Sequence, residues 1–534
     1  MHAAHAQAEL GGMPVDEAFE LQAARRMSRA EFVAGMATAG ALAGTGLLVG
    51  CNARAPQPAA TGTPARIGGA RRIIVVGAGL AGMTCAYRLR QAGVYCDVYE
   101  AADSAGGRTW SLRNFFAHGQ VAEHGGEFIS SEHRALKNLV HELGLRLVDL
   151  RAGNPAANET YFVRGRRYKE AEVIADYAPV YRALKRDVAA ARLPATYDRY
   201  TRAAYQLDHM SVVDWIAKNV PGGLSSRMGW LLDIDCTTEN AGESSAQSAL
   251  NLLYMLGYMP SYESGHGFYL VGTDERYNVA GGNDQVVARM AARLAPSTVR
   301  TNSALVALRR RSDGTYLCTF DSGGRTFEAV GDHVVLSLPF TLLRQVDLSG
   351  AGFSPLKMTA IRESPLGTTS KLHLQFADRF WHKAGSNGAT YSDTGYQQTW
   401  DVTRGQAGKE GILVDYTGGD IGASFQGGVH GPAGSQTARK FLAQLQPVYP
   451  GTANAWNGKA YLDNWSADRW HHGSYSYWKV GQCTKFVGME KVRQGNVHFC
   501  GEHTSLEFGG FMNGAVASGE EAAGEITSVA RHVA

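Results

Sequence analysis

Cysteine is scarce in this chain and poorly placed for pairing. The seven cysteines, Cys51, Cys85, Cys96, Cys236, Cys318, Cys483 and Cys500, are scattered, odd in number and never spaced as CxxC. Neither a disulfide framework nor a zinc site is implied, no other metal site is read, and small apolar filler is their expected role. Charge imbalance is missing too: 52 Lys and Arg stand against 49 Asp and Glu, a formal net charge of +3. No basic stripe is interleaved with aromatics, so nucleic acid is not an expected partner. Apolar residues are not lacking. At 44% hydrophobic and 19% charged, the composition is that of a globular protein with a sizeable core. A length of 534 residues exceeds one small domain, and two large interleaved domains are expected.

The N-terminus departs from this pattern. Paired arginines, Arg25 and Arg26, precede a polar patch and then an apolar run of small residues from Val33 to Gly50. That is the layout of a signal peptide, and the arginine pair resembles a twin-arginine export signal, although Phe32 comes late for that pattern. "LVGC", ending at Cys51, resembles a lipoprotein cleavage box, which would tether the protein to a membrane through an acylated Cys51. A Pro/Ala/Gly-rich linker follows, so residues 1–70 read as export signal and linker, with folding expected to start near Arg71. The expected location is periplasmic or cell-surface.

The first clear chemistry lies in "RRIIVVGAGLAGMTCAYRLRQAGVYCDVYEA". Ile73 to Val76 suit a buried parallel strand. Gly77, Gly79 and Gly82 then give GxGxxG: the first for a tight turn, the second for close approach of a pyrophosphate, the third for helix–strand packing. A helix from Met83 to Gln91 offers its N-terminus to phosphates, and a second strand, Val94 to Tyr99, leads to Glu100, an acid suited to ribose hydroxyls. Next comes Gly106-Gly107-Arg108, which is not part of a nicotinamide signature. It resembles the second fingerprint of the two-dinucleotide-binding-domain flavoproteins, so FAD is the expected cofactor.

"TTSKLHLQF" poses a separate question. Leu372, Leu374 and Phe376 alternate with Lys371, His373 and Gln375, which predicts a strand with one buried face. Read alone, the strand leaves Lys371 either a solvated lysine or a lysine held in a catalytic pocket.

From Arg71 to the C-terminus, separated motifs resemble the flavin-containing amine oxidase family, which includes monoamine, polyamine and L-amino-acid oxidases. "AEHGGEFIS", with Gly125, Gly126 and Glu127, looks like the Gly-Gly segment beside the isoalloxazine. "VAGGNDQVVARMAARL" looks like the turn into a returning helix, "TNSALVAL" with Leu305 like the strand that meets the adenine, and "HVVLSLPFTLL" like the strand ending at Pro339. "NVHFCGEHTSLEFGGFMNGAVASGEEAAGEI" looks like the C-terminal flavin segment. There the resemblance places Gly501 and Glu502 at the ribityl chain, and Gly510 and the Met512 N–H, at the start of a helix near Asn513, by the flavin N1/O2 edge. "LGTTSKLHLQFADRFW" resembles the family's lysine strand, which puts Lys371 at the flavin N5 through a water. "NWSADRWHHGSYSYWKVGQ", with Trp470 as a cofactor contact, resembles the segment bearing the covalent flavin cysteine of monoamine oxidases. Ser474 occupies that position, so the FAD is expected to be noncovalent. Tyr475 and Phe511 match the two walls of the aromatic cage.

The resemblance implies an α/β, two-dinucleotide-binding-domain FAD fold, Rossmann-like, interleaved with a substrate domain of mixed sheet and helices. Expected boundaries are 71–147, 272–360 and 468–534 for the FAD-binding domain, and 148–271 and 361–467 for the substrate domain. The implied reaction is oxidative deamination of an amine or L-amino acid, with dioxygen as acceptor, giving an imine, then a carbonyl compound, ammonia and hydrogen peroxide. The alternatives are a polyamine or monoamine oxidase, or an amino-acid 2-monooxygenase; a desaturase or isomerase and a non-catalytic flavoprotein belong to other classes. A homodimer is carried as an expectation. The arginine that anchors the substrate carboxylate in venom-type L-amino-acid oxidases is replaced here by Phe128. Glu127, Asp233, Asp235 and Glu239 are acids that could meet a cationic side chain. His124, His471 and His472 read as structural polar residues rather than bases.

Overall fold

The computed structural model describes residues 71–152, 159–259, 270, 272–426 and 428–531. The arginine pair, the apolar run and Cys51 lie outside the described residues. Among the described residues, no helix is long and apolar enough to cross a membrane.

Short runs of β-branched residues build a five-stranded parallel sheet. Its order is Val497–Phe499, His333–Leu336, Ile73–Val76, Cys96–Tyr99 and Val299–Arg300. Ile73 to Val76 are all buried, as a central strand covered on both faces requires. One covering layer comes from the helices Leu80–Gln91 and Met512–Arg531, whose apolar residues join those of the sheet in a single core. A three-stranded antiparallel sheet, Ala304–Arg310, Tyr316–Ser322 and Arg325–Gly331, packs on the same unit through Phe320 and Tyr99, with ring centres 4.1 Å apart.

The second large sheet has eight strands. Their order is His430–Pro432, Trp456–Asn464, Ser370–Phe376, Gly411–Thr417, Gln398–Asp401, Thr390–Ser392, Thr160–Val163 and Arg166–Tyr168. All neighbours are antiparallel except the pair Thr390–Ser392 and Thr160–Val163. The helices Glu170–Ala191, Arg202–Asp208, Val212–Asn219, Arg227–Glu239 and Ala249–Leu256 form an apolar core of their own beside it. The strands of the parallel sheet come from within 71–147, 272–360 and 468–534, and those of the eight-stranded sheet from within 148–271 and 361–467.

The lysine strand, Ser370–Phe376, corrects one expectation: both of its faces are buried. Leu372, Leu374 and Phe376 pack with Phe441, Leu442 and Leu445 of the helix Ser435–Leu445, each fully buried side chain contributing about 1.5–3 kcal/mol. Lys371, His373 and Gln375 are no more than 2% exposed, because their face is covered by the segment from Phe116 to Gly125. The alternation is as read; the polar side faces protein rather than water.

Cross-strand partners share a face of a sheet. The register therefore aligns His430, Asp463, Lys371, Tyr416, Gln398, Tyr391, Tyr161 and Tyr168 in one row across all eight strands. Every member of that row carries a polar group, and the candidate site is built along it. Three element boundaries move by a few residues: the helices start at Leu80 and Met512, and the second strand is Cys96–Tyr99.

Candidate active site

The GxGxxG segment forms an open cradle. Gly79 caps the helix Leu80–Gln91 without any side-chain bond, and a Cβ placed on it would meet nothing within 4 Å. The helix N-terminus therefore adjoins open space at Gly79, which suits a diphosphate. Gly82 has the opposite reason to be glycine: a Cβ there would lie 2.1 Å from the Gly77 carbonyl oxygen. Glu100 is fixed by two backbone donors, Ala78 N–H at 2.6 Å and Ala102 N–H at 2.8 Å. The second glycine turn lies alongside the first, with Gly106 N–H donating to Ala78 O at 3.0 Å and Gly107 beside Gly79. Leu305 is buried against Tyr99 in the same neighbourhood, and Ser303 N–H donates to Glu100 O at 2.8 Å.

Arg108 leaves this cradle and reaches the C-terminal segment. It donates to Ser474 O and pairs with Glu502 at 2.9 Å. The other Glu502 oxygen accepts from Ser476 Oγ at 2.6 Å and Gly510 N–H at 2.7 Å. Burial opposes ionisation of Glu502, but the charges of Arg108 and His503 and these bonds outweigh it and hold the carboxyl below its usual range. Gly501 N–H is held by Ser518 Oγ at 2.9 Å. The Met512 side chain lies over Gly126, where a Cβ would sit 2.9 Å from its Cγ.

Lys371 occupies the centre of the polar row. Its Nζ donates to Glu123 O at 2.8 Å and Gly125 O at 3.2 Å and pairs with Glu127 Oε2 at 2.8 Å. An ammonium has three donors, so all are engaged. The second Glu127 oxygen accepts from Trp400 Nε1 at 2.9 Å, and Trp400 presents its ring 5.6 Å from the lysine nitrogen. Behind this pair lies Glu123. Burial pushes its carboxyl up to about 8, against bonds from Asn283 N–H at 2.9 Å and Ser111 Oγ at 2.7 Å. Tyr475 donates its hydroxyl to Thr238 O at 2.7 Å and accepts from Tyr416 at 2.5 Å, which fixes the ring beside Gly510. Phe511 packs on His133, with ring centres 5.1 Å apart. Ser474 is buried and accepts from Thr369 Oγ1 at 2.9 Å.

The profile described as flavin containing amine oxidoreductase matches residues 80–527. The chain belongs to that family. It is 24% identical over 484 residues to the human flavin-containing amine oxidase B, covering 85% of each chain. To the L-amino acid oxidase Bs29 of Bothriechis schlegelii it is 22% identical over 477 residues, covering 85% of this chain and 90% of the other. Among solved structures, the cyclohexylamine oxidase of Brevibacterium oxydans superposes with a TM-score of 0.73 at 22% identity, covering 87% of this chain and all of that one.

In this flavin-containing amine oxidoreductase, several lining residues escaped the sequence. Trp465, at the end of the strand Trp456–Asn464, is buried, donates to His124 O at 2.9 Å and lies 3.1 Å from where a Gly125 Cβ would be. Trp470, the tryptophan singled out, stands half-buried under the Arg469 guanidinium, 4.2 Å from its ring centre. Trp400 and Tyr416 gave no signal beyond strand-like spacing.

Of the candidate acids, Glu127 is committed to Lys371, and Asp233 accepts from Ser244 Oγ. Asp235 and Glu239, on the helix Arg227–Glu239, lie within Coulomb reach of each other and of the unforeseen Glu159 and Glu275. Burial raises the carboxyl pKa of all four. Arg404 lies over the ring of Phe128, 5.1 Å from its centre, within Coulomb reach of Glu159 and Glu275.

The histidines are structural in their contacts. His124 stacks on Trp110 at 3.6 Å and shares Asp463 Oδ1 with His430, each at 2.7 Å, while His430 also bonds Asp468 at 3.0 Å. His124, His430 and Asp463 are close enough to suggest a metal site, but their 2.7 Å separations are hydrogen-bond lengths. His471 bonds Asp468 at 2.8 Å, and His472 takes a positive φ of 51° in the same loop.

Proposed function

We propose that Lys371, Glu127, Tyr475 and Phe511 form the site at which this flavoenzyme oxidises an amine to an imine, which water hydrolyses to a carbonyl compound and ammonia. The carrying observation is Lys371 locked onto the Gly125 carbonyl, in a chain that also presents a diphosphate cradle and a ribose acid. Gly77, Gly79, Gly82, Gly106, Gly107 and Glu100 would hold the adenosine and diphosphate of FAD; Arg108, Glu502, Gly125, Gly126, Gly510 and Met512 would surround the rest. When bound, FAD takes two electrons from the substrate carbon and passes them to dioxygen, giving hydrogen peroxide.

The protein's part is placement and charge. Lys371 pins the carbonyls of Glu123 and Gly125 and so fixes the Gly125-Gly126 segment. Glu127 neutralises that cation, and Trp400 holds Glu127, so the pair survives in a site with almost no water access. A water between Lys371 and the flavin would have to share one of three engaged donors. Tyr475, tethered at its hydroxyl, presents a fixed ring whose face suits a nitrogen carrying positive charge. Such restraint of reacting groups lowers the barrier, because orientation is settled before the reaction begins.

The L-amino-acid form of this reading is favoured by Arg404. It brings a guanidinium to Phe128, the position where the expected carboxylate anchor is missing. Export, a membrane tether through Cys51 and a homodimer are proposals that rest on the sequence and its resemblance. Anaerobic mixing with amines and amino acids tests the oxidase reading. Substrate should bleach the flavin, and air should restore its colour with one peroxide per turnover. A flavin that no amine or amino acid bleaches would refute it.

A further inference from the structure

We infer that Asp235, Glu239, Glu159 and Glu275, with Gln398, form a subsite for a second, distal cation of the substrate. The inference rests on the oxidase reading and adds the substrate class: an amine whose far end carries an ammonium or guanidinium.

The four carboxylates come from separate parts of the chain. Asp235 and Glu239 lie one helical turn apart on Arg227–Glu239, so they share a face. Glu159 precedes the strand Thr160–Val163, and Glu275 follows the bend at Gly272 and Thr273 with a positive φ of 40°. Tyr161 and Tyr391, cross-strand partners, bond Glu159 and Asp235 respectively, which sets those two acids side by side, and Glu239 and Glu275 lie within Coulomb reach of both. Glu159, Glu239 and Glu275 are deep enough for desolvation to dominate their ionisation, yet each keeps accessible surface.

The polar row of the sheet forms the opposite wall. Tyr161 donates to Glu159 at 2.5 Å, Tyr391 donates to Asp235 at 3.2 Å, and Gln398 Nε2 donates to Tyr391 at 2.9 Å. Two acceptors, one on each side, are left without donors. Gln398 Oε1 has no partner although the residue is 6% exposed, and Asp235 Oδ2 has none at 0% exposure. Buried acceptors are normally satisfied. Both of these are acceptors, and the nearby carboxylates add negative charge, so a cationic donor is the species that fits them. An ammonium brings three N–H groups and a guanidinium five.

The subsite adjoins the reaction centre. Tyr416 stands next to Gln398 in the row and next to Lys371 on its other side, and it bonds Tyr475. Glu239 lies within Coulomb reach of both tyrosines. A chain held at its far end by Asp235 and Gln398 would thus run along the row towards Tyr475. Arg404 borders the same space and would meet a carboxylate if the substrate has one.

Matched pairs test this with the FAD-loaded enzyme. Cadaverine against n-pentylamine, and L-lysine against L-norleucine, differ only by the distal ammonium. In at least one pair the cation should raise kcat/KM by about a hundredfold or more. The pair that responds tells a diamine from a basic amino acid. Asp235→Asn, or Gln398→Leu should the first variant lose its flavin, should cut that ratio at least tenfold. A ratio near one in the wild type, or one that neither variant changes, overturns the subsite while leaving the oxidase reading intact. Failure of all four compounds to bleach the flavin, with a monoamine outside the set succeeding, overturns the subsite alone. Failure of every amine and amino acid overturns both.

Discussion

Replacing Lys371 by methionine removes one ammonium and leaves three acceptors. Two are the backbone oxygens of Glu123 and Gly125; the third is the Glu127 carboxylate, 6% exposed and then bonded only to Trp400. Methionine fills the volume but donates nothing. Breaking one side of a buried ion pair costs about 3–5 kcal/mol, because the remaining charge is stranded. In a chain of this size that corresponds to a drop of roughly 3–5 °C in the unfolding temperature of the FAD-loaded protein. The double variant Lys371→Met with Glu127→Gln removes the stranded charge and should recover half or more of the loss. Turnover should not recover with it. If Lys371 acts at the reaction centre, flavin reduction or reoxidation stays slowed by about ten- to a thousandfold, or 1.4 to 4 kcal/mol, in both variants. Thermal unfolding followed by flavin release, with stopped-flow on the same samples, measures the two effects. Equal stability of wild type and the single variant would show that Lys371 and Glu127 are not coupled, and the pinning of the Gly125 segment would fall with that result.

Three further outcomes are expected. Ser474 offers no thiolate, so acid precipitation should release the flavin into the supernatant, and flavin retained in the pellet would contradict a noncovalent bond. Burial works against a charge on His430, but hydrogen bonds to Asp463 and Asp468 outweigh it and raise its pKa to about 9. The folded pKa lies above the unfolded one, so this interaction contributes about 3 kcal/mol below pH 6.5 and is lost as pH rises through 9. The unfolding temperature should therefore fall between pH 7 and 10, and His430→Asn should flatten that decline; a slope unchanged by the variant would rule the pair out. Replacing Arg25 and Arg26 by lysine should trap the protein in the cytoplasm, and unchanged cell fractionation would refute twin-arginine export.

The parts legible in the sequence were those whose chemistry is local. The cradle was readable because a strand, three glycines, a helix and an acid fall within about thirty residues, each with its own steric or electrostatic reason. The period of the lysine strand was readable for the same reason, since alternation is a property of the chain itself. What covers each face is not such a property. Read alone, the strand left the side of Lys371, His373 and Gln375 open between solvent and a pocket, because nothing nearby in sequence announces that the segment from Phe116 to Gly125 lies over it. Glu127 was visible as an acid beside the glycine pair, but its partner stands 244 positions away. Glu159 and Glu275 were missed because a single acid at the edge of a loop resembles any surface acid. Only the closure of two distant loops against the helix Arg227–Glu239 makes them neighbours.

The polar row across the eight-stranded sheet has a consequence for how such an enzyme changes. Its members are contributed one per strand, so they can be replaced one at a time. Exchanges at Gln398, Tyr391 or Tyr161 alter what the far wall accepts without moving Lys371, and a lineage can try new substrates by single steps while its redox apparatus stays untouched. Insertions are different. One extra residue before Lys371 in its strand would reverse the parity of everything after it, sending the lysine into the apolar layer under Phe441 and bringing a leucine to the glycine pair. Selection on this strand therefore acts first on its length and only then on its letters.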